Sequence, residues 1–258
     1  MMIEPPATFA GITSLRVAVI IPAMNEEQSI GRVIADIPTW VTDIIVADNG
    51  STDNTAALAE RAGAKVVPAA IRGYGSACLA GIAAAENADI LVFIDGDFSD
   101  YPQQMHALVQ PIAENRADMV IGSRTLGNRQ RGSLTIQQRF GGALACKLMW
   151  WLWSVRYTDL GPFRAISRAA LLQLRMDDLN FGWTVQMQIR AAVAGLRTME
   201  VPVDYRRRIG QSKISGTLRG VVMAGYKILY TIGKEFWIAR HCVRSAGNQG
   251  KDHLNTNT

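Results

Sequence analysis

Two kinds of segment alternate along residues 15–123. Short runs rich in β-branched residues are apolar throughout, and longer segments between them carry apolar residues at every third or fourth position. The short runs predict strands that are buried on both faces, and the longer segments predict helices. The predicted strands are 15–21, 43–47, 64–67, 89–94 and 119–122. The predicted helices are 26–37, 52–62, 74–85 and 102–114.

This alternation predicts a doubly wound α/β fold, in which a mostly parallel sheet is flanked by helices. Such folds bind their ligand beyond the carboxyl ends of the strands. The residues at those ends are polar here: Pro22-Ala23-Met24-Asn25-Glu26, Asp48-Asn49-Gly50-Ser51, Asp95-Gly96-Asp97 and Gly122-Ser123-Arg124. No GxGxxG motif follows the first strand, so a dinucleotide cofactor is not expected. Gly73-Tyr74-Gly75 is a weak glycine signal and does not fit a P-loop.

The pattern changes in the second half of the chain. It predicts helices at 137–154, 183–194 and 218–240, strands at 163–167 and 198–203, and a basic loop at 206–215. The last helix is amphipathic, and the polar residues after it predict disorder. We therefore divide the chain into an extension (1–14), a main α/β domain (15–215), a C-terminal amphipathic helix (216–244) and a disordered tail (245–258).

Charge is divided unevenly between the two halves. Residues 1–122 hold 15 acidic and 6 basic residues, a net charge of −9, and residues 123–258 hold 7 acidic and 21 basic residues, a net charge of +14. The first half suits a cation and a polar ligand, and the second suits phosphates or an anionic membrane surface. A merely lopsided surface is the alternative. The run Arg206-Arg207-Arg208 has no RNA-binding motif beside it, so we expect no nucleic acid partner.

The cysteines and the apolar segments indicate the cellular setting. Cys78, Cys146 and Cys242 are far apart, which argues against a disulfide scaffold and a CxxC zinc site and fits a reducing, cytosolic setting. Residues 1–14 contain no lysine or arginine and no long apolar run, so we expect no signal peptide. Charged residues interrupt 218–238, so this segment is expected to lie on a membrane and not to cross it.

Two carboxylates stand together after the fourth predicted strand. Asp95 and Asp97 flank a glycine at the end of a buried run, and carboxylates this close repel each other unless a cation lies beside them. Hard oxygen ligands suit Mg²⁺ or Mn²⁺, which often complete their shell with substrate phosphates. The motif therefore predicts a metal–diphosphate site. An ordinary Asp-Gly turn is the alternative.

A second polar group follows the second predicted strand. Asp48 can accept a hydrogen bond from a ring N–H of a nucleobase, and Asp53 is placed to cap the next helix. The three segments together, Ile21-Pro22-Ala23-Met24-Asn25-Glu26-Glu27, Asp48-Asn49-Gly50-Ser51-Thr52-Asp53 and Asp95-Gly96-Asp97, resemble the family 2 glycosyltransferases of the GT-A fold over about residues 15–215. The chain is most similar to polyprenyl-phosphate sugar transferases of the dolichyl-phosphate mannose synthase type. That similarity adds Ser99, Gly122-Ser123-Arg124, Gly161-Pro162-Phe163-Arg164 and the loop from Arg207 to Lys213.

The resemblance implies a role for each matched residue. Pro22, Met24 and Glu26 line the nucleoside pocket, and Val46 and Asp48 hold the base, although the family usually has two aspartates where this chain has Asp48-Asn49. Asp95, with Gly96, holds ribose or sugar hydroxyls, and Asp97 with Ser99 binds the metal. Arg124 faces the donor sugar or the acceptor phosphate, and Arg207 and Lys213 close over the diphosphate. The implied catalytic set is therefore Asp95, Asp97, Arg124, Arg207 and Lys213.

The expected reaction is metal-dependent, inverting transfer of a hexose from a UDP- or GDP-sugar. Negative charge develops on the leaving diphosphate, where a divalent cation and basic residues stabilise it. A hydroxyl acceptor would need a carboxylate base, and the helix at 182–188 has no acidic residue where many inverting relatives place one. A phosphate acceptor needs no base, so a polyprenyl phosphate is favoured. The alternatives are a hydroxyl acceptor with Asp159 or Asp178 as base, or a non-catalytic nucleotide-sugar-binding protein.

Two helices of the second half combine aromatic and basic residues. Trp150, Trp151 and Trp153 stand among basic residues, a composition typical of the membrane interface. Further basic residues, Arg219, Lys227, Lys234 and Arg240, lie on the last apolar helix. We therefore expect a cytoplasmic protein that binds peripherally to the inner face of the cell membrane. Packing of the tryptophans in the core or in a dimer interface is the alternative.

Overall fold

The computed structural model describes residues 14–210 and 218–252. Its strands are β1 (Val17–Ala23), β2 (Asp43–Asp48), β3 (Lys65–Pro68), β4 (Ile90–Phe93), β5 (Met119–Ser123), β6 (Arg164–Ser167) and β7 (Thr198–Pro202). Its helices are α1 (Ile30–Ala35), α2 (Thr55–Arg61), α3 (Tyr74–Ala84), α4 (Met105–Ala113), α5 (Ile136–Trp153), α6 (Arg168–Leu174), α7 (Trp183–Val193) and α8 (Leu218–Asp252). A 3₁₀ turn, Pro102–Gln104, precedes α4.

The strands form one seven-stranded sheet in the order β3-β2-β1-β4-β6-β5-β7. Neighbouring strands run parallel except at β6, which is antiparallel to both β4 and β5. The predicted α/β class and mostly parallel sheet are confirmed. The antiparallel strand was not predicted, because an apolar run shows that a strand is buried and does not show its direction.

Helices cover both faces of this sheet. Every residue of β1 is buried, and its side chains point alternately into two apolar clusters, one on each face. Val19 and Ile21 join the cluster that includes residues of α1 and α4, and Ala18 and Ile20 join the one that includes residues of α3 and α7. A third cluster joins α5, α7 and α8 through residues such as Met149, and it attaches the C-terminal helix to the domain.

Register brings the three predicted polar segments together. Ala23 of β1 lies opposite Asp48 of β2, and Ile20 of β1 lies opposite Phe93 of β4, so these strands end at one edge of the sheet. The loops beyond them are joined directly, since the Asn25 amide donates to the Ser51 hydroxyl at 3.0 Å. The predicted ligand edge is thereby formed.

The helices differ most from the sequence prediction at α6, α1 and α8. Helix α6 was not predicted, and α1 begins four residues later than expected because residues 26–29 form a turn. Helix α8 continues to Asp252, so residues 245–252 are helical although they were assigned to the disordered tail. No proline interrupts that polar stretch, and a helix can continue there without an apolar face. Residues 1–13 and 253–258, which include most of the extension and the rest of the tail, lie outside the described residues.

The glycines of Gly73-Tyr74-Gly75 have a packing role at the start of α3. A Cβ atom added to Gly75 would meet the carbonyl oxygen of Asp178 at 1.9 Å, and one added to Gly73 would meet that of Leu179 at 2.0 Å. Only glycine lets α3 approach the backbone at 178–179 this closely. The motif therefore docks α3 on a loop.

A substitution at Gly75 tests this packing. Gly75→Ala is expected to lower the free energy of unfolding by about 2–4 kcal/mol, because neither backbone can move away without breaking its neighbours' contacts. Gly31→Ala in α1 is the matched control, since nothing lies within 4 Å of the added Cβ, and it is expected to be neutral or stabilising by up to about 1 kcal/mol. Urea denaturation of both variants measures the difference. An equal effect at the two positions would contradict the packing role.

Candidate active site

Asp95 lies just beyond β4 at the ligand edge. The hydroxyl of Tyr74, the first residue of α3, donates to its Oδ1 at 3.1 Å. Burial, followed by the nearby Asp97 carboxylate, raises the pKa of Asp95 to about 7. A cation placed beside both carboxylates would relieve this repulsion and lower that pKa.

Asp97 is held from two sides. Its Oδ1 accepts hydrogen bonds from the amide and the hydroxyl of Ser99, with the amide at 2.9 Å. Its Oδ2 lies 3.1 Å from Nη1 of Arg208, whose Nη2 donates to Oε1 of Glu26 at 2.9 Å. Sequence reasoning did not single out Arg208. It is the arginine that contacts the predicted metal ligand.

The loop after Asp97 is fixed by Arg206. Phe98 has a left-handed backbone with φ of +63°, which an aromatic residue adopts only when its surroundings impose it. The Arg206 guanidinium lies 3.2 Å from the centre of the Phe98 ring and donates to the Phe98 and Asp100 carbonyl oxygens. Arg206 thereby holds the backbone that orients Asp97.

Arg124 and Asp159 form a buried ion pair beside the carboxylates. Nε and Nη2 of Arg124 donate to the two carboxylate oxygens at 2.7 and 2.8 Å, and the Arg124 amide adds a third bond at 2.9 Å. Burial alone would raise the pKa of Asp159, but the guanidinium outweighs it and holds that pKa below its usual value. Asp159 is therefore a weak base in this arrangement.

The pair also makes a prediction for stability. Asp159→Asn leaves the Arg124 charge buried without its counterion and is expected to lower the free energy of unfolding by about 3 kcal/mol near pH 7. The folded pKa of Asp159 lies below its ordinary value of 3.8, so the carboxylate contributes stability above that pH and loses it as the pH falls through the folded pKa. Denaturant titrations at pH 7 and pH 3 should show the gap between wild type and variant narrowing in acid. A gap that is unchanged or widens would contradict the pairing.

The residues predicted to bind the nucleoside lie in different environments. Pro22 is buried, while Met24 and Asp48 are half-buried at the ligand edge, and Asp48 accepts the Ser51 amide through both carboxylate oxygens at 3.2 and 3.3 Å. Val46 is fully buried in the cluster beneath the sheet, so its predicted contact with a base is not supported. Glu26 pairs with Arg208 instead of standing free in a nucleoside pocket.

The residues predicted around the metal and in the closing loop lie as follows. The Ser99 side chain is fully buried and its hydroxyl donates to Asp97, which orients that carboxylate, and its role in binding the metal stays a prediction. Arg207 is exposed and donates to the Arg131 carbonyl oxygen at 2.8 Å, away from Asp97. Lys213 lies outside the described residues. A Cβ atom added to Gly96 would make only ordinary van der Waals contact, at 3.4 Å from Ile21 of β1, so packing there does not require glycine.

The carboxylates fit a divalent cation as a partial shell. Asp97 is buried and already faces a cationic group, and Asp95 stands two residues away. Among the described residues no cluster of three or more aspartate, glutamate, histidine or cysteine side chains is placed to hold a metal. Oxygen ligands from a diphosphate and water would therefore have to complete the shell, as Mg²⁺ and Mn²⁺ sites commonly allow.

A cavity of about 790 Å³ opens from the two carboxylates toward α5 and α8. Its polar end holds Asp95, Asp97, Arg124, Asp159 and Arg208. Its far wall is largely apolar, and that wall includes Leu134, Ile136, Phe140, Leu160, Phe181 and Ile228. Arg129 and Arg139 also line it. The cavity thus joins a charged end to an apolar opening.

The other predicted bases and the tryptophans have structural contacts. Asp178 is buried and pairs with Lys227 of α8 at 3.1 Å, and it does not line the cavity. Trp153 packs edge-on against Phe236 of α8, so this tryptophan packs inside the protein, which was the alternative to a place at the membrane interface. Trp150 and Trp151 are exposed on the outer face of α5. In the described part of the chain no helix is long and apolar enough to cross a membrane.

Comparison with known proteins decides the family. The chain matches glycosyl transferase family 2 over residues 18–174. It belongs to glycosyl transferase family 2. An uncharacterised glycosyltransferase of Mycobacterium tuberculosis is 37% identical over 213 residues, covering 81% of this chain and 94% of the relative. An undecaprenyl-phosphate mannosyltransferase of Micrococcus luteus is 30% identical, covering 80% and 90%. A dolichyl-phosphate hexose transferase of Haloferax volcanii is 32% identical, covering 76% and 86%.

Solved structures confirm the GT-A fold of this glycosyltransferase. Glucosyl-3-phosphoglycerate synthase from Mycobacterium tuberculosis, in complex with Mn²⁺, UDP and phosphoglyceric acid, superposes with a TM-score of 0.73. The match covers 89% of this chain and 81% of that one at 24% identity. Likeness at this identity shows the fold alone. The family match and the glycosyltransferase relatives confirm the enzyme class expected from the sequence, while the acceptor is a separate question.

Proposed function

We propose that this glycosyltransferase transfers a hexose from a UDP- or GDP-linked sugar to a polyprenyl phosphate at a membrane surface, with inversion and with the help of Mg²⁺ or Mn²⁺. The observation that carries the proposal is the cavity, because it joins a carboxylate pair to an apolar opening. Relatives named as undecaprenyl-phosphate and dolichyl-phosphate sugar transferases support the acceptor class. The structural neighbour solved with Mn²⁺ and UDP supports the donor and the metal.

The apolar wall of the cavity suits a lipid tail. Ile136 is 81% exposed and Phe140 71% exposed, and both stand on the first turns of α5 at the cavity wall. Large apolar side chains left open beside a binding cavity mark a surface for an apolar partner. A small polar acceptor such as phosphoglycerate would leave this wall uncovered.

The charged end suits an acceptor phosphate. Arg129 and Arg139 line the cavity, and neither has an ion-pair partner within the described residues. Arginine is well matched to phosphate oxygens. The Asp159 carboxylate, paired with Arg124, is a poor base, and Asp178 pairs with Lys227 and does not line the cavity. An acceptor that is already ionised avoids the need for either one.

The outer faces of α5 and α8 suit the membrane interface. Trp150 and Trp151 on α5 and Tyr230 and Trp237 on α8 are exposed, and the Arg156 guanidinium lies 5.4 Å from the Trp150 ring centre. Aromatic residues with basic neighbours bind well at the headgroup level of anionic bilayers. The two helices line the lipid side of the cavity, so a membrane there would present the acceptor at its opening.

The residues at the polar end then divide the chemistry. Asp97 would hold the cation, oriented by Ser99, and Asp95 would hold donor hydroxyls, oriented by Tyr74. A bound divalent ion would stabilise the charge that develops on the leaving diphosphate. Arg124 stays fixed by Asp159 and faces the cavity, where it would orient the attacking phosphate oxygen. Attack from the face opposite the diphosphate gives inversion at the anomeric carbon.

A donor panel tests the proposal. Purified protein is incubated with vesicles that contain undecaprenyl phosphate, with Mn²⁺ or Mg²⁺ and with one radiolabelled UDP- or GDP-sugar at a time. We expect label in the organic phase with one donor and loss of this label on adding EDTA. We also expect a product whose anomeric configuration, measured from its proton coupling by NMR, is opposite to that of the donor. Donor cleavage with no label in the organic phase for any sugar would contradict the proposed acceptor.

A further inference from the structure

Arg208 bridges two carboxylates at the proposed metal site. One end of its guanidinium lies 3.1 Å from Oδ2 of Asp97, and the other donates to Oε1 of Glu26 at 2.9 Å. The Asp97 and Glu26 side chains are only 8% and 11% exposed, so this cation neutralises charge that water reaches poorly. The Arg208 guanidinium therefore occupies the Asp97 carboxylate oxygen that a bound metal ion would use.

The oxygen that Arg208 holds is the one that a metal requires. The other oxygen of Asp97, Oδ1, already accepts the amide and the hydroxyl of Ser99. A divalent ion on Asp97 would therefore bind through Oδ2, in contact with the guanidinium and repelled by it. The two cations cannot share this oxygen on favourable terms.

The backbone builds this placement of Arg208. The Arg206 amide donates to the Ser99 carbonyl oxygen at 2.9 Å, and the Ile209 amide donates to the Asp97 carbonyl oxygen at 2.9 Å. These two bonds pair 206–209 with 97–99, so Arg208 points at Asp97 while its neighbour Arg207 points at Arg131. Glu26 offers a second partner that the guanidinium can keep after it leaves Asp97.

We propose that Arg208 is an internal competitor of the divalent cation, occupying Asp97 until metal and nucleoside diphosphate bind together. This inference rests on the proposed metal-dependent function and adds a positioning residue to it. A metal ion that binds alone must displace the Arg208 guanidinium from Asp97, and it brings no negative charge that could stabilise the two cations. Metal with a diphosphate brings that charge, which also gives the released guanidinium a partner. Ordered use of the site follows: the metal binds weakly until the nucleotide arrives.

Binding of Mn²⁺ to the full chain in the absence of nucleotide tests the competition. Electron paramagnetic resonance of free Mn²⁺ gives the dissociation constant for wild type, Arg208→Gln and Arg207→Gln. We expect Arg208→Gln to bind Mn²⁺ at least about tenfold more tightly, since a like charge beside the ligand is removed. Arg207→Gln removes one charge from the same segment without touching Asp97, and it is expected to stay within about twofold of wild type.

Further arms make each outcome decisive. Equal affinities in the three proteins, weaker binding in Arg208→Gln, or equal tightening in both variants would overturn the competition. If Arg208→Gln does not fold, Arg208→Met replaces it, because methionine keeps an unbranched apolar stem and removes the charge beside Asp97, with tighter Mn²⁺ binding again expected. Repeating the titration with UDP and with GDP separates the two proposals. Mn²⁺ that binds to wild type with nucleotide present supports the metal–diphosphate site of the proposed function whatever the outcome of the competition, whereas no binding in any condition overturns both.

Discussion

Replacing Asp97 by asparagine is expected to lower sugar transfer by roughly 10³-fold. The substitution keeps the size of the side chain and removes the charge that would hold a divalent ion against the donor diphosphate. Loss of one preorganised group that stabilises developing charge costs about 10²–10³ in rate, and loss of a metal's contribution costs several kcal/mol. Single-turnover transfer at saturating donor measures the chemical step.

Asp43→Asn is the control for this prediction. Asp43 begins β2 at the opposite end of that strand from the ligand edge, and it pairs with Arg16 on the surface at 3.5 Å. The same change of carboxylate to amide there is expected to leave the rate within about twofold, since exposed ion pairs contribute little. Retention of full transfer by Asp97→Asn would show that the carboxylate does not act in catalysis.

The double substitution Ile136→Ser with Phe140→Ser is expected to lower kcat/KM for undecaprenyl phosphate by about 10²-fold. Burying each side chain against a lipid tail contributes up to about 1.5–3 kcal/mol, so the pair contributes up to about 3–6 kcal/mol, and a 10²-fold change needs about 2.8 kcal/mol of it. Hydrolysis of the donor by water, which does not use the apolar wall, should be unchanged. Vesicle-based transfer at several acceptor concentrations measures kcat and KM separately.

Leu172→Ser with Val193→Ser removes a similar apolar area elsewhere. Leu172 on α6 is 65% exposed and Val193 on α7 is 55% exposed, and neither lines the cavity. This control is expected to leave kcat/KM within about twofold. Equal losses in the two double variants would mean that the apolar wall of the cavity has no special part in binding the acceptor.

Most of the sheet could be predicted from the sequence, because apolar runs indicate the strands and the polar residues after them indicate where the strands end. All seven strands were located to within about two residues on that basis, and the ligand edge followed from them. The direction of β6 could not be predicted in this way, because a buried strand has the same apolar pattern whether it runs parallel or antiparallel to its neighbours. Helix α6 was missed because its seven residues follow β6 without a break that would separate the two.

The roles of Arg206, Arg207 and Arg208 in the site could not be predicted from the sequence. The sequence marks three adjacent arginines, and the resemblance favours Arg207, yet Arg206 stacks on Phe98 and Arg208 reaches Asp97. Which arginine points where is decided by backbone pairing with residues 97–99, which lie over a hundred positions earlier. Asp95 and Asp97 were predictable because their position depends only on the strand before them. Val46 was assigned to the base, but its place in β2 turns it into the core.

The headgroup of the acceptor is the most direct test of the whole account. Undecaprenyl phosphate, undecaprenol and 3-phosphoglycerate are offered separately to the same enzyme with the donor found in the panel, and the products are separated and counted. The cavity predicts transfer to the lipid phosphate alone, since the alcohol lacks the ionised oxygen and phosphoglycerate lacks the tail. Efficient transfer to undecaprenol, or to phosphoglycerate in place of the lipid phosphate, would contradict it.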